Sequence, residues 1–529
     1  MKAEPAAREG NDRSSPVTSS ATAHSMTEAF EKPAWAGRAA VVLPAAALSG
    51  ALIALALSPF HWSWLTLLSP AALFYLVAAA PRRLAPWVGY VYGVGYFGAG
   101  GHWIYYSVGE FGGGPLVALV FCAALAAAFG LLIWALVHLW LRVRPQAALP
   151  AVTVALPTCW MAVEWVRSWL FTGTTWLQLG YAHVDNWLGG YAPIIGALGI
   201  SMLVSVLAGL IAWAALVRRR KPVIVAVVAV VVVWLIGGVM QRDWTSPAAE
   251  PLQIALLQGN VPQDQKWLPE NRQRQLDLYE RLTSRFWGAD VVIWPETAIP
   301  AFQHQVSREF LAPLLADAED HGTDLLVGLP SWDSETRAVY NTVLALGQEV
   351  DVYHKRHLVP FGEYVPFRRY LGAALDVFGA PMADFTPGWT AGPLMVGGQP
   401  MAISICYEIT FPNEVRDFLP EATVLVNVSN DAWFGTSIGP HQHFQMARMR
   451  ALEMGRPLVR ATNTGITASV DHRGRVIARV PQFTVDALLT EVTPHEGVTP
   501  YMWWGNWPVL VLLFAALGVC GVMRYGLRR

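Results

Sequence analysis

Cys406 closes the alternating run "MAISI" and is followed directly by Tyr407 and Glu408. It is one of four cysteines in 529 residues; the others, Cys122, Cys159 and Cys520, lie inside long apolar runs. With no partner thiol nearby, Cys406 has two readings: a small buried apolar residue, or a nucleophile that needs a base and an oxyanion partner. Glu296 ends the strand-like "DVVIWPE" and Lys355 ends "DVYHK", with Glu363 further on in "LVPFGEYVPF". Taken singly, Glu296 fits a solvated loop carboxylate and "HKRH" an exposed basic run. Taken together at three strand ends, they describe one chemistry. A buried carboxylate takes the thiol proton, the thiolate attacks an acyl carbonyl, and the lysine ammonium holds the developing oxyanion. Spacing permits this convergence without establishing it.

The elements that must position these residues lie in 241–500. Strand-like runs are 252–258, 290–296, 323–330, 340–346, 401–407, 423–430 and 465–471, and helix-like segments are 269–287, 305–319, 412–418 and 441–454. Apolar strands alternating with helices predict an α/β domain whose sheets are covered by helices. No internal repeat, phosphate-cradling glycine motif or zinc spacing is visible there. His441 and His443 stand two apart in "GPHQH" downstream of Asp431. They lack a clear third ligand, so a helix starting at Pro440 is the better reading. No metal and no cofactor are expected.

The rest of the chain is unlike this segment. The whole sequence is 54% hydrophobic and 14% charged with a formal net charge of −1, which excludes a basic nucleic-acid binder and an acidic disordered protein. Apolar runs near 36–58, 62–80, 86–108, 115–140, 150–171, 191–216, 222–240 and 506–523 predict about eight membrane crossings. The second is interrupted by Trp62, Trp64 and Pro70. Arg82 and Arg83, Arg142 and Arg144, "RRRK" at 218–221 and "MRYGLRR" follow the even-numbered spans. Basic loops stay cytoplasmic, so both termini are expected inside and the segment after the seventh span outside. The expected domains are a flexible cytoplasmic tail at 1–34, a helical membrane domain at 35–240, an exported α/β domain at 241–500, and a last helix with a short tail at 501–529. Glu164 and Arg167 share one helix face, as a structural pair or a functional one. "YVYGVGYFGAGGHWIYY" at 90–106 permits close helix approach or a lipid-lined groove. The apolar stretch 370–385 is expected to lie on the membrane as a lid, or to pack into a core.

The ordered set "WPE", "YHKRHLVPFGEYVP" and "CYE" resembles the Glu-Lys-Cys triad of the nitrilase superfamily. The longer blocks "LLQGNVPQDQKW", "ICYEITFP" and "SNDAWFGTSIGPHQHFQMARMRALEMGRPLVRATNTGIT" resemble its membrane-bound branch, the apolipoprotein N-acyltransferases of Gram-negative bacteria. The resemblance covers almost the whole chain after residue 34. It implies a polytopic α-helical membrane domain plus a nitrilase-like αββα sandwich on the outer face of the inner membrane. It also implies transfer of an acyl chain from the sn-1 position of a phospholipid, through a cysteine thioester, to the α-amine of a diacylglyceryl-cysteine at an apolipoprotein N-terminus. Carried over by motif, Cys406 is the nucleophile, Glu296 the base and Lys355 the oxyanion partner. Glu363 matches a second required glutamate, and Trp267, Tyr407 and Glu408 match further supporting residues. The expected partners are thus phospholipid and apolipoprotein, with no nucleic acid, and the expected state is a monomer. A membrane-anchored amidase acting on small amides is the alternative enzyme. A transporter with an outside ligand domain is the alternative of another class, although no repeated halves are visible.

Overall fold

The computed structural model describes residues 33–365, 384–389 and 392–525. Among the described residues, six helical stretches are long and apolar enough to cross a membrane: Ala39–Ala56, Gly114–Val143, Ala148–Arg167, Trp187–Val217, Arg220–Val239 and Trp507–Tyr525. Within this set are α1 (Ala39–Ala51), α4 (Gly114–Val143), α5 (Leu156–Arg167), α6 (Ala192–Val217) and α7 (Arg220–Val239). The remaining two expected spans form shorter helices, α2 (Leu65–Ala79) and α3 (Ala85–Gly100). All eight apolar runs are therefore helical, and six of them have the length to span alone. Helix α2 is apolar all round and buried along most of its length, as a helix enclosed by others must be. Helix α7, rich in valine, instead leaves most of its surface uncovered by protein.

The glycines of α3 settle one open reading in favour of close approach. A Cβ on Gly93 would stand 2.8 Å from Gly130 Cα of α4, and one on Gly95 would stand 2.2 Å from the Ala47 carbonyl oxygen of α1. Without side chains at these points the backbones of α1, α3 and α4 pack directly against each other.

The α/β part carries two six-stranded sheets. The first has the order β12–β1–β2–β3–β4–β5, built from β1 (Leu252–Gln258), β2 (Val291–Ile293), β3 (Asp324–Trp332), β4 (Val339–Leu346), β5 (Asp351–His354) and β12 (Asp486–Val492). The second has the order β6–β7–β8–β9–β10–β11, built from β6 (Leu394–Val396), β7 (Gln399–Ile405), β8 (Val424–Ser429), β9 (Leu458–Thr462), β10 (Ala468–Val470) and β11 (Val476–Arg479). In each sheet the neighbours run antiparallel, parallel, parallel, antiparallel, antiparallel along that order. The two halves thus share a topology that no repeat in the sequence betrays.

Alternate residues of the strands decide the layers. Ile254, Leu256, Val291 and Ile293 face Ile403, Ile405, Val426 and Val428 in one core between the sheets. Ala255, Leu257, Val292 and Leu325 point the other way, onto Leu276, Tyr279 and Leu282 of α9 (Arg272–Thr283) and Leu314 and Ala318 of α10 (Ala312–His321). On the far side, α11 (Gly439–Met454) packs Phe444, Ala447, Ala451 and Met454 onto the second sheet. Helix, sheet, sheet, helix is the expected αββα order. Helix α11 begins with Pro440 in its first turn and ends at Gly455, whose φ of +56° closes the helix in the left-handed region. Its opposite face, through Met446 and Met449, joins the core of the membrane helices.

Candidate active site

All three expected catalytic residues stand just beyond strand C-termini: Glu296 after β2, Lys355 after β5, and Cys406 after β7. Strands β2 and β7 each run parallel to a neighbour, and β5 reaches the same orientation through two antiparallel turns. Because the sheets stack face to face, these ends meet at one edge of the sandwich, where α/β folds gather functional groups.

The carboxylates and the ammonium form one buried network. Lys355 Nζ donates to Glu363 Oε1 at 2.9 Å and lies 3.6 Å from Glu296 Oε1. Asn341 Nδ2 reaches both acids, Glu296 Oε1 at 2.8 Å and Glu363 Oε1 at 3.0 Å. The Asn430 backbone N–H donates to Glu296 Oε2 at 2.8 Å, and that of Val359 donates to Glu363 Oε2 at 2.8 Å. Lys355 is 1% exposed, so its charge depends on these partners. Burial pulls its pKa down, but the two glutamates outweigh burial and hold the ammonium well above its ordinary value.

Cys406 has a φ of +52°, which non-glycine residues rarely adopt. It sits on the turn from β7 into the short helix Cys406–Thr410. Burial first, then the charge of Glu296, pushes the thiol up to about 12, while Lys355 pulls it down. The side chain therefore rests as a thiol within the field of both partners, and a proton acceptor is needed to make it a nucleophile.

The turn is braced from behind. His443 Nε2 lies 3.1 Å from the Cys406 carbonyl oxygen and must carry the proton to bond there. Its Nδ1 lies 3.0 Å from Arg460 Nη2, which also donates to Asp431 Oδ2 at 2.8 Å. Sγ of Cys406, a carboxylate oxygen of Asp431 and a ring nitrogen of His443 fall within 4.8 Å of one another, a spacing that a metal ion can bridge. The Arg460 guanidinium already provides the positive charge against Asp431, so these residues do not fit an added cation.

Glu408 joins the turns that carry Lys355 and Cys406. Its Oε1 accepts from the backbone N–H groups of Arg356 at 2.5 Å and His357 at 3.1 Å, beside Lys355. Its Oε2 accepts from Ile405 N–H at 2.6 Å, beside Cys406, and from Tyr353 Oη at 2.9 Å. Burial pushes this carboxyl up to about 7 against the pull of those donors. Tyr407 Oη donates to the Gly173 carbonyl at 3.1 Å, and Thr175 Oγ1 donates to the Thr410 carbonyl at 3.0 Å, so the loop after α5 is bonded to the cysteine turn. Trp267 is 49% exposed and, among the described residues, makes no hydrogen bond to Glu296 or Glu363. It follows Lys266, which does touch Glu296.

Sequence reading missed Asn341, Asn430, His443 as a brace, Arg460 and Lys266. Glu164 and Arg167 are both buried: Trp160 Nε1 donates to Glu164 Oε1 at 2.9 Å, and Arg167 donates to the Trp176 carbonyl. Arg167 thereby ties the end of α5 to the loop that follows it. The stretch 370–385 lies outside the described residues except for Asp384 and Phe385. Phe385 N–H donates to the Glu363 carbonyl at 3.0 Å.

Two families match the chain: Carbon-nitrogen hydrolase over residues 253–498, and Apolipoprotein N-acyltransferase N-terminal domain over residues 49–210. An apolipoprotein N-acyltransferase of Methylococcus capsulatus is 43% identical over 480 residues, covering 90% of this chain and 95% of that protein. One from Vibrio parahaemolyticus is 39% identical over 479 residues, covering 88% and 94%. Among solved structures, Saccharomyces cerevisiae Nit3, a member of branch 10 of the nitrilase superfamily, is 20% identical and covers 46% of this chain and 91% of its own, with a TM-score of 0.36.

Proposed function

The chain belongs to the apolipoprotein N-acyltransferase family, and from that premise we propose how its own residues move the acyl chain. It is a multi-pass membrane protein and an acyltransferase that N-acylates lipoproteins. The proposed donor is a phospholipid and the proposed carrier is Cys406. Glu296 takes the Sγ proton as sulfur attacks the sn-1 ester carbonyl. Lys355 faces the developing oxyanion with an N–H not used by Glu363. The ester C–O bond breaks, Glu296 returns its proton to the glycerol oxygen, and lysophospholipid leaves a thioester on Cys406. The lipoprotein α-amine then attacks that thioester. Its ordinary pKa near 8 lets Glu296 take a proton again, and the amide forms as the C–S bond breaks and Glu296 returns that proton to the departing Cys406 sulfur. One base serves both halves, so the kinetics are ping-pong.

The observation that carries this reading is the single buried network linking Glu296, Lys355 and Glu363 at the same sandwich edge as the Cys406 turn. That turn is bonded to the loop after α5, which favours a lipid donor reaching it from the membrane side. Hydrolysis of small amides is the less favoured reading, because the relatives match along nearly the whole chain, membrane helices included. Residence in the inner membrane, catalytic residues on the periplasmic side, cytoplasmic termini, the domain division given above and a monomeric state complete the proposal. Purified protein in vesicles of phosphatidylethanolamine, given a diacylglyceryl-cysteine peptide, should give parallel double-reciprocal lines. Cys406→Ala should fold and lose at least about 10³-fold in rate. Intersecting lines, or transfer that survives in Cys406→Ala, would overturn it.

A further inference from the structure

Lys266 is a buried cation that the chemistry above does not use. It ends the one-turn helix α8 (Gln263–Lys266) and is 2% exposed. Among the described residues no carboxylate lies within ion-pair distance of its ammonium. Its two acceptors both belong to the turn after β2: the Glu296 carbonyl oxygen at 3.2 Å and Thr297 Oγ1 at 2.8 Å. Burial accordingly pushes this lysine down to about 8. An apolar side chain of the same length would fill the space without that desolvation cost. What the ammonium adds is therefore directional: it fixes the two groups it bonds.

Those groups need fixing. Thr297 has a φ of +45°, a conformation that a β-branched residue adopts only when its surroundings impose it. The same turn sets the direction of the Glu296 side chain. From the same short helix, Gln263 Oε1 accepts from Asn430 Nδ2 at 2.8 Å, and the Asn430 backbone N–H bonds Glu296 Oε2. Helix α8 thus grips Glu296 twice, once through its backbone and once through its carboxylate.

We propose that Lys266 is a positioning residue for Glu296, holding the Glu296–Thr297 turn so that the carboxylate faces the Cys406 thiol. The inference rests on Glu296 serving as the base for Cys406. Steady-state transfer from phosphatidylethanolamine to a diacylglyceryl-cysteine peptide, in the full-length protein, tests it. Lys266→Met should lower kcat by about 10- to 100-fold with KM for phospholipid changed by less than about twofold, because it misplaces the base without touching the lipid. Thr297→Val, which removes one of the two acceptors, should lower kcat by about fivefold, and the double variant should be no slower than Lys266→Met alone. A folded Lys266→Met with kcat within about twofold of wild type, or with a raised KM and unchanged kcat, overturns the role. If Lys266→Met does not fold, unchanged kcat in Thr297→Val overturns it instead. Thioester on wild-type Cys406 is read by mass in the same samples. Its absence would remove the Glu296–Cys406 assignment, whereas its presence beside an unaffected variant removes only Lys266.

Discussion

At Cys406 burial and then the charge of Glu296 outweigh the pull of Lys355, leaving the thiol at about 12. A raised thiol pKa means little thiolate at neutral pH, and the thiolate fraction grows with pH throughout the range below about 12. Alkylation of Cys406 by iodoacetamide should accordingly rise from pH 7 to pH 10 without levelling off; a plateau below pH 8 would show a thiolate already formed and make Glu296 unnecessary as a base. That Glu296, Lys355 and Cys406 fall at strand ends was legible from the runs that precede them, whereas Glu408 was named only through the resemblance of "CYE". Asn341, Asn430 and Arg460 were not legible, since their role comes from partners distant in sequence: Asn341 meets Glu296 45 positions away, and Asn430 meets it 134 away. Lys266 was hidden in a polar run that reads as solvated loop until its burial is known.

Among the elements, α3 carries the sharpest packing constraint. Gly95→Ala brings a Cβ to 2.2 Å from the Ala47 carbonyl oxygen, a backbone atom that has no rotamer in which to escape. Gly98, one turn on, would meet only Ala126 Cβ at 3.6 Å, an ordinary contact. Thermal unfolding in detergent should show Gly95→Ala destabilised by about 1–3 kcal/mol and Gly98→Ala within about 0.5 kcal/mol of wild type. Equal transitions for the two would refute the close packing of α3 on α1. The sequence reading found β1, β2, β3, β4, β7, β8 and β10 because apolar residues dominate their runs. It passed over β9, whose "LVRAT" carries a buried arginine at its centre, and β11, whose residues are mostly exposed. Apolar runs gave the helices of the membrane part but overstated two lengths: α2 stops at 15 residues and α3 at 16.

Across the whole molecule, the α/β part and the membrane helices are joined rather than adjacent. Helix α11 packs one face on the second sheet and the other on the helical core, and its buried Arg450 and Glu453 pair at 2.7 Å between them. Trp176 Nε1 donates to Gln442 Oε1 of α11 at 2.6 Å, and Ser107 Oγ donates to the Trp433 carbonyl at 2.7 Å. The Cys406 turn is bonded to the loop after α5 as well, and the proposed transfer requires the Cys406 thiol to carry the acyl group. Intact-mass spectrometry of the wild-type protein, incubated with phosphatidylethanolamine and no acceptor, reads this directly. The prediction is a fatty-acyl mass on the peptide containing Cys406, released by hydroxylamine and absent from Cys406→Ala. Turnover in the presence of acceptor with no acyl mass ever found on Cys406 would contradict it.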